Sequence, residues 1–233
     1  MTKAVAIVSG GMDSVVLAHM YADAGWDLHT ISFNYGQRHA KELQYARSAA
    51  RTTGATHHEV DLTNITSLLQ GSSLTSPDVA VPDGHYAAET MRITVVPNRN
   101  AMMLNIAAAY ATSIQAALLG TAVHGGDHYI YPDCRPEFIK AVDTSITLGT
   151  LGHGNPRFRI DAPFVHKTKG DIVSIGHSLG VDLRLTWSCY KGGEQHCGSC
   201  GTCFERREAF VEANVYDPTT YLATPDYADP RKP

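Results

Sequence analysis

The sequence predicts an α/β fold in which a doubly wound parallel sheet carries helices on both faces. Short β-rich runs alternate along the chain with segments of helical periodicity, which is the pattern of consecutive strand–helix units. The chain has 233 residues, long enough for one such core and short for two. Hydrophobic residues make up 43% and charged residues 18%, as in ordinary globular proteins. We therefore expect a single domain over residues 1–233.

The strand–helix units follow one another from the N-terminus. Five β-rich runs predict strands at residues 4–8, 28–33, 57–62, 117–123 and 158–164. The spacing of apolar residues predicts helices from the first glycine pair to Gly25, up to Gly54, after Pro97, from Pro136 toward Leu148, and over 167–179. Residues 63–96 show no clear period, and a loop of that length is usually functional or mobile.

Composition limits the classes of partner. The formal charge of -4 is unfavourable for a protein that holds nucleic acid mainly by neutralising phosphates. The residues after Lys3 show no secretory signal, and the Ala-rich stretch from Ala101 to Leu119 contains polar residues, so it predicts a core helix and not a membrane span. Four of the five cysteines lie between Cys189 and Cys203, which favours a metal cluster in a reducing compartment. We therefore expect a cytoplasmic protein with no nucleic-acid or membrane partner.

The first strand–helix junction reads SGGMDS, residues 9–14. Such a junction exposes the first N–H groups of the helix and the positive end of its dipole. The two glycines let an anion approach the backbone, and Ser9 and Ser14 can add hydroxyl donors. The Walker spacing and lysine are absent, as is the dinucleotide fingerprint G-x-G-x-x-G. Because Asp13 would repel a phosphate without a cation between them, the loop predicts phosphate with Mg²⁺; a capped turn without ligand is the alternative.

Four cysteines near the C-terminus have the spacing C-x₇-C-x₂-C-x₂-C: Cys189, Cys197, Cys200 and Cys203. Two-residue gaps let successive thiolates turn back onto one ion, and four thiolates complete a closed tetrahedral zinc site. An iron–sulfur cluster is the main alternative, although in ferredoxins the fourth cysteine lies downstream and precedes proline. A closed site has no open position, so we expect a structural zinc-binding segment over residues 186–213.

The SGGMDS run after a first strand resembles the PP-loop motif S-G-G-x-D-S of the ATP pyrophosphatase superfamily, whose fold is adenine nucleotide α-hydrolase-like. Within that superfamily the chain resembles the 7-cyano-7-deazaguanine synthase family, in the family's order and over nearly the whole length. The stretches that carry this resemblance are FNYGQRHAKE (33–42), VPNRN (96–100), YPDCRPEF (131–138), TWSCY (186–190) and CGSCGTCFERREAF (197–210). Two departures are Asn98, where the family usually has glycine, and Phe164, where leucine is common.

The resemblance implies an ATP-dependent carbon–nitrogen ligase of the queuosine pathway. It would make 7-cyano-7-deazaguanine (preQ0) from 7-carboxy-7-deazaguanine and free ammonia. The acid would be adenylated with release of pyrophosphate, ammonia would displace AMP, and a second activation would dehydrate the amide to a nitrile. Loop amides and Mg²⁺ would neutralise the charge on the departing pyrophosphate. The resemblance also implies structural zinc at the four cysteines and a homodimer.

Candidate ATP-binding and catalytic residues follow from these motifs. The residues expected to bind ATP are Val8, Ser9, Gly10, Gly11, Met12, Asp13, Ser14 and Val15. The residues expected to be catalytic are Asp13, Arg99 and Lys167, with Arg99 at the substrate carboxylate or the ATP phosphates. For Lys167 the alternative is a solvated lysine in the first turn of its helix.

The residues expected to bind substrate are Asp133, Glu137 and Tyr190. A 7-deazaguanine presents N1–H and N2–H₂ donors, which one carboxylate accepts as a pair. Asp133 and Glu137 lie four residues apart across the start of a helix, so both can face one pocket. The alternative for each is an ordinary acidic residue at a helix N-terminus. Cys134 is either a substrate contact or a small packed residue.

Two other functions explain part of the sequence. A PP-loop enzyme that modifies tRNA usually needs a basic docking surface, which the charge of -4 disfavours. A non-catalytic zinc module that binds nucleic acid accounts for the cysteines but leaves SGGMDS unexplained.

Overall fold

The computed structural model describes residues 1–76, 78–85 and 91–225. Five parallel strands form a sheet in the order β3-β2-β1-β4-β5. The strands are β1 Lys3–Ile7, β2 Asp27–Asn34, β3 Thr56–Asp61, β4 Leu118–Gly120 and β5 Arg159–Asp161. The α-helices are α1 Met12–Asp23, α2 Glu42–Thr53, α3 Arg99–Ser113, α4 Pro136–Gly149, α5 Lys169–Ser178 and α6 Gly201–Glu212.

Helices cover both faces of the sheet, which confirms the doubly wound prediction. Successive residues of a strand point to opposite faces. Val5 of β1 therefore packs in the cluster formed with α3 and α4, whereas Ala4 and Ala6 pack in the cluster formed with α1, α2, α5 and α6.

The strand order reverses at β1, which pairs with β2 on one side and with β4 on the other. In doubly wound sheets the chains that leave such a pair of strands diverge, and ligands bind in the crevice between them. Here the crevice lies between the SGGMDS loop after β1 and the segment 121–131 after β4. The sheet thus places the predicted phosphate loop at its switch point.

Several predicted elements differ from the observed ones, and the strand expected over 158–164 is only Arg159–Asp161. The strand expected over 117–123 ends at Gly120, because the chain then leaves the sheet to line the cavity described below. Helical periodicity does not predict α6, since its buried residues include cysteines and two arginines. The expected loop over 63–96 contains 3-10 turns at Thr63–Leu68 and Arg92–Thr94; its residues 77 and 86–90 lie outside the described part of the chain.

The Ala-rich stretch forms α3 and is a core helix, as expected, with Leu104 and Ala107 buried against the sheet. Among the described residues, no helix combines the length and apolar character that a bilayer span requires. Both departures from the family pattern fit their positions. Asn98 adopts a left-handed φ of 58°, which asparagine tolerates, and Phe164 is fully buried in the core.

Candidate active site

The SGGMDS loop is a tight turn that contacts α2. Gly10 has φ +97°, and a Cβ there would collide with the Glu42 carbonyl oxygen, so the position requires glycine. Ser14 Oγ donates to the Gly11 carbonyl oxygen at 3.0 Å and holds the turn closed. Gly11 is the N-cap of α1 and no side chain caps the helix, so neither Asp13 nor Ser14 does. The first N–H groups of α1 remain suited to an anion.

An open cavity lies at the carboxyl ends of β1, β2 and β4. Its empty volume is about 1160 Å³ with the open space at its mouth, which is ample for a small-molecule site. Most of the residues expected to bind ATP line it: Ser9, Gly11, Met12, Asp13 and Ser14. Val8 and Val15 belong to the core instead, and Gly10 packs against α2.

One wall of the cavity carries a charged cluster, which consists of Asp13, His124, Asp127, Lys169 and Glu205. Lys169 Nζ lies 3.2 Å from Asp13 Oδ2 and 2.8 Å from Glu205 Oε2. Burial alone would lower the pKa of Lys169, but the carboxylates of Asp13, Glu205 and Asp127 raise it above its usual value. The cluster therefore holds a permanent ammonium group beside the SGGMDS loop.

His124 connects the carboxylates of the charged cluster. Its Nε2 lies 3.7 Å from Asp13 Oδ2 and 3.5 Å from Asp127 Oδ2. Its Nδ1 accepts a hydrogen bond from Gly126 N at 3.1 Å, and Lys169 Nζ lies 3.4 Å from its Nε2. One ligand atom each from His124, Asp127 and Glu205 lie within 4.8 Å of one another, a spacing that could hold a metal ion.

The charged cluster fits a hard divalent cation at Asp13. Asp13 Oδ1 is buried and has no hydrogen-bond partner among the described residues, although Oδ2 contacts Lys169. A buried carboxylate oxygen is costly without a partner, and carboxylate oxygens are preferred ligands of Mg²⁺. Asp127 lines the same cavity and offers a second carboxylate.

A second part of the cavity lining is rich in aromatic rings. We call it the aromatic cluster, and it consists of Tyr35, His39, Glu42, Arg99 and Tyr190. Arg99 Nη1 donates to Tyr35 Oη at 3.4 Å, and the His39 and Tyr190 rings lie 5.2 Å apart. Burial would lower the pKa of Arg99, but the neighbouring tyrosine hydroxyls raise it well above its usual value. The expected site residues Arg99 and Tyr190 therefore come together on one wall.

Two titratable groups of the aromatic cluster are held neutral. Burial raises the pKa of Glu42 to about 8, although the Gln37 amide and the Arg99 charge lower it. Burial, with Arg99, lowers the pKa of His39 to about 3. His39 Nε2 and Glu42 Oε1 lie 3.5 Å apart, so near neutral pH this contact joins two largely uncharged groups and is not an ion pair.

Asp133 and Glu137, which were expected to bind substrate, do not line the cavity. Asp133 Oδ2 accepts from Asn100 N at 3.1 Å in the first turn of α3, where the helix dipole favours a negative charge. Glu137 is exposed in the first turn of α4. Both follow the alternative reading of acids at helix N-termini.

The lysine of the cavity is Lys169 and not Lys167. The stretch HKTK offers two lysines, and the local structure selects the second. Thr168 and Asp171 form a capping box, so α5 begins at Lys169 and projects that side chain into the charged cluster. The Lys167 carbonyl oxygen accepts from Gly125 N at 2.9 Å, outside the cavity lining.

Cys134 lines the cavity, away from the other cysteines. Asn100 Nδ2 donates to its Sγ at 3.3 Å. Burial, with the charges of Asp127 and Asp133, raises the pKa of the Cys134 thiol. A thiol that stays protonated is a weak nucleophile, so this residue contributes to the lining by its shape.

The four remaining cysteines form a cluster whose Sγ atoms lie within 4.8 Å of one another: Cys189, Cys197, Cys200 and Cys203. The Sγ atoms of Cys197 and Cys203 are 3.9 Å apart, close to the ~3.8 Å edge of a tetrahedron with Zn–S bonds of about 2.3 Å. The N–H groups of Ser199 and Cys200 point at Cys197 Sγ at 3.4 and 3.3 Å, which stabilises a thiolate. The cluster is suited to one tetrahedral metal ion.

The cysteine segment also supplies part of the cavity. Helix α6 starts in the cluster and carries Glu205, while the residues beside Cys189 carry Tyr190. Buried Arg206 ties these parts together through Thr186 Oγ1 at 2.8 Å and Ser188 Oγ at 3.1 Å. A metal ion in the cluster would therefore support both walls of the cavity.

Sequence reasoning missed several residues of the site, namely Glu42, Lys169 and Glu205 in the cavity lining and His124 in the charged cluster. Glu42 and Glu205 lie inside the quoted stretches FNYGQRHAKE and CGSCGTCFERREAF, so the signal for them was present. His124 and Lys169 had no such signal, because they reach Asp13 only through tertiary packing, in which Gly125 N donates to the Lys167 carbonyl oxygen at 2.9 Å.

The switch-point loop with its aspartate is the arrangement of the PP-loop class that the sequence resembles. The solved structure of NMN synthetase from Francisella tularensis shares this fold, with a TM-score of 0.51 over 82% of this chain and 68% of that chain at 14% identity.

Sequence comparison identifies the family. The family model for "Queuosine biosynthesis protein QueC" matches residues 3–214. The 7-cyano-7-deazaguanine synthase of Paracoccus denitrificans is 53% identical over 219 residues, 94% of this chain and 93% of the relative. The enzyme of the same name from Ruegeria sp. is 52% identical over 225 residues, 97% of this chain and 95% of the relative. The chain belongs to the 7-cyano-7-deazaguanine synthase family, as the resemblance predicted.

Proposed function

We propose that the protein converts 7-carboxy-7-deazaguanine and ammonia to 7-cyano-7-deazaguanine, using ATP to form an adenylated acid and then an adenylated amide. The charged cluster carries this proposal. Lys169 is held 3.2 Å from Asp13 beside the free N–H groups of α1, an arrangement suited to a triphosphate. The aromatic cluster lines the same cavity and suits a planar base.

The chemistry requires two activations. In the first, a carboxylate oxygen of the acid attacks the α-phosphorus of ATP and pyrophosphate leaves. Ammonia attacks the acyl carbon, loses a proton, and AMP departs to give the amide. The amide oxygen then attacks the α-phosphorus of a second ATP, and a second pyrophosphate leaves. Loss of AMP and of the two amide protons leaves the nitrile.

The residues of the cavity would assist by position and charge. The α1 N–H groups and the Lys169 ammonium would stabilise the charge that develops on pyrophosphate. The Arg99 guanidinium would attract the acid into the cavity, since its charge persists at every working pH. Asp13 and Asp127 would hold Mg²⁺, which when bound neutralises phosphate charge.

The four cysteines would hold structural zinc. Four thiolates leave no open coordination position, so the ion would stabilise the fold and take no part in the reaction. Further parts of the proposal come from the family resemblance: free ammonia as nitrogen donor, a homodimer, and a cytoplasmic location. The charge of -4 supports a reaction on a free small molecule and not on nucleic acid.

Product analysis tests the function. Purified protein is incubated with ATP, Mg²⁺, ammonium and 7-carboxy-7-deazaguanine, and the products are identified by mass spectrometry. We expect the nitrile with two AMP and two pyrophosphate per turnover, and accumulation of the adenylated acid when ammonium is omitted. Formation of ADP with inorganic phosphate, or no nitrile, would contradict the proposal.

A further inference from the structure

The stretch FNYGQRHAKE forms a hydrogen-bonded network on the cavity wall that the phosphate and metal chemistry leave unexplained. Gln37 is its centre. Its Oε1 accepts from Tyr35 N at 2.9 Å, and its Nε2 donates to the Phe33 carbonyl oxygen at 3.0 Å. The same Nε2 donates to Glu42 Oε1 at 3.2 Å. The end of β2 thus fixes the amide orientation, and the amide fixes one oxygen of Glu42 as an acceptor.

The carboxyl group of Glu42 is part of the cavity lining. Glu42 is only 8% exposed, and the hydrogen bond from Gln37 Nε2 uses its Oε1. His39 Nδ1, in the same wall, is buried without a partner in the described part of the chain. A buried polar atom is costly when unsatisfied, so this nitrogen favours a polar molecule in the cavity.

The number of adjacent donors on a base decides which type a carboxylate can bind by both of its oxygens. Arg99, a donor group, and Glu42, an acceptor when ionised, line the same cavity. A guanine-type edge presents the acceptor O6 followed by the adjacent donors N1–H and N2–H₂. An adenine edge presents a single donor, N6–H₂, beside the acceptor N1. A carboxylate is therefore complementary to the guanine type.

We propose that Glu42 recognises the substrate base, its carboxylate accepting N1–H and N2–H₂ of the 7-deazaguanine while Arg99 donates to O6. The proposal rests on the proposed function and names the residue that makes this site specific. Tyr190 and His39 would stack against the ring. It also assigns the carboxylate that sequence reasoning sought at Asp133 and Glu137.

Proton uptake gives the proposal a second signature. The groups that face Glu42 are His39 and Tyr35, both neutral, and Arg99, permanently charged. Burial raises the pKa of Glu42 to about 8, so the free protein holds much of this carboxyl protonated at neutral pH. Only the ionised carboxylate of Glu42 can accept both donors of the base with its two oxygens. Binding of the acid should therefore release a proton and strengthen as the pH rises toward 8.

The test measures binding of 7-carboxy-7-deazaguanine and of its analogue without the exocyclic amine, by calorimetry on the whole protein. The wild type should prefer the complete base by at least ~100-fold, because the analogue leaves a buried acceptor unsatisfied. Glu42→Gln should reduce this preference to below ~10-fold, since its amide places N–H₂ against the donors of the base. Glu42→Asp keeps the carboxylate and should retain an intermediate preference. Glu137→Gln is the matched control and should keep the wild-type preference.

Each result supports or contradicts the proposal for Glu42. If the wild type binds the acid but Glu42→Gln keeps the full preference, the proposal for Glu42 is wrong while the proposed function stands. If Glu42→Gln weakens ATP binding and leaves the acid unaffected, the wall recognises adenine and the proposal is wrong. If the wild type does not bind the acid, the proposed function fails and the proposal with it. Should Glu42→Gln not fold, the wild-type preference, the Glu42→Asp ratio and the proton release together decide.

Discussion

The charged cluster and the aromatic cluster line one cavity and differ in which buried groups keep a charge. In the charged cluster Lys169 keeps its proton beside Asp13 and Glu205 although it is largely buried, while burial raises the pKa of Glu205. In the aromatic cluster burial outweighs the neighbours, and Glu42 and His39 are driven toward their neutral forms. The contrast between Lys169 and Glu42 shows that oppositely charged partners can outweigh depth in deciding a charge state.

This division suits the two ligands of the proposed reaction. A triphosphate needs fixed positive charge and a cation, which the charged cluster can provide without reorganising. A base needs hydrogen bonds in a set order, which neutral, orientated groups can provide. Gly10 connects the two clusters, because it lies in the same loop as Asp13 and contacts the first turn of α2, where Glu42 lies.

The largest expected effect concerns the cysteine cluster, which supports both walls. Cys200→Ser should lower zinc content from one per chain to near zero and lower the midpoint of thermal unfolding sharply, because structural zinc contributes on the order of 10 kcal/mol to folding. Elemental analysis and calorimetry measure both. Cys134→Ser, outside the cluster, is the control and should keep its zinc. Iron with sulfide in the purified protein would contradict the zinc assignment.

The second prediction separates the two lysines of HKTK. Lys169→Met should reduce kcat by roughly 10²–10³-fold, since it removes a positioned positive charge from the charged cluster. Lys167→Met removes the same charge two residues earlier, outside the cavity lining, and should stay within about twofold of the wild type. Steady-state release of pyrophosphate gives both values. Equal losses in the two variants would show that the lysine matters through net charge and not through position.

The contrast between those lysines also shows how far the sequence could lead. Loop and metal chemistry depend on short-range spacing, so SGGMDS and the four cysteines could be found directly. The choice between Lys167 and Lys169 depends on where α5 begins, which the Thr168 capping box decides. Sequence boundaries are uncertain by a few residues, and two residues are enough to change the side of a helix.

The carboxylates were harder to place for a different reason. Asp133 and Glu137 have the right chemistry and spacing, but whether an acid faces a cavity or a helix N-terminus depends on tertiary packing. Glu42 lies in a helical first turn as well, and although the stretch FNYGQRHAKE carries the family resemblance, it does not show which way the Glu42 carboxyl group faces. Only the crowding of α2 against the loop at Gly10 brings Glu42 to the cavity wall.

The third prediction tests the contact between Gly10 and α2, which links the charged cluster to the aromatic cluster. Gly10→Ala should lower the free energy of unfolding by about 3 kcal/mol, because it adds a collision with the Glu42 carbonyl to the strain of a positive φ. Gly25→Ala is the matched control: its φ is +77° but nothing lies within 4 Å of the added Cβ, so only the strain of about 1 kcal/mol remains. Urea denaturation measures the difference. Equal losses would mean that the loop does not press against α2.

The fourth prediction concerns the neutral state of the aromatic cluster. The pKa of Glu42 rises from 4.5 to about 8 on folding. Between these values the unfolded chain releases the proton while the folded protein keeps it, so rising pH favours unfolding. Glu42→Gln has no titrating carboxyl group at this position. Its free energy of unfolding relative to that of the wild type should therefore increase between pH 5 and 8 by on the order of 2–4 kcal/mol. Denaturation curves at several pH values measure the slope, and Glu137→Gln corrects for the loss of one exposed carboxyl group. A relative stability that is flat, or that falls with pH, would show that Glu42 is ionised in the folded protein and that the two clusters do not differ as described.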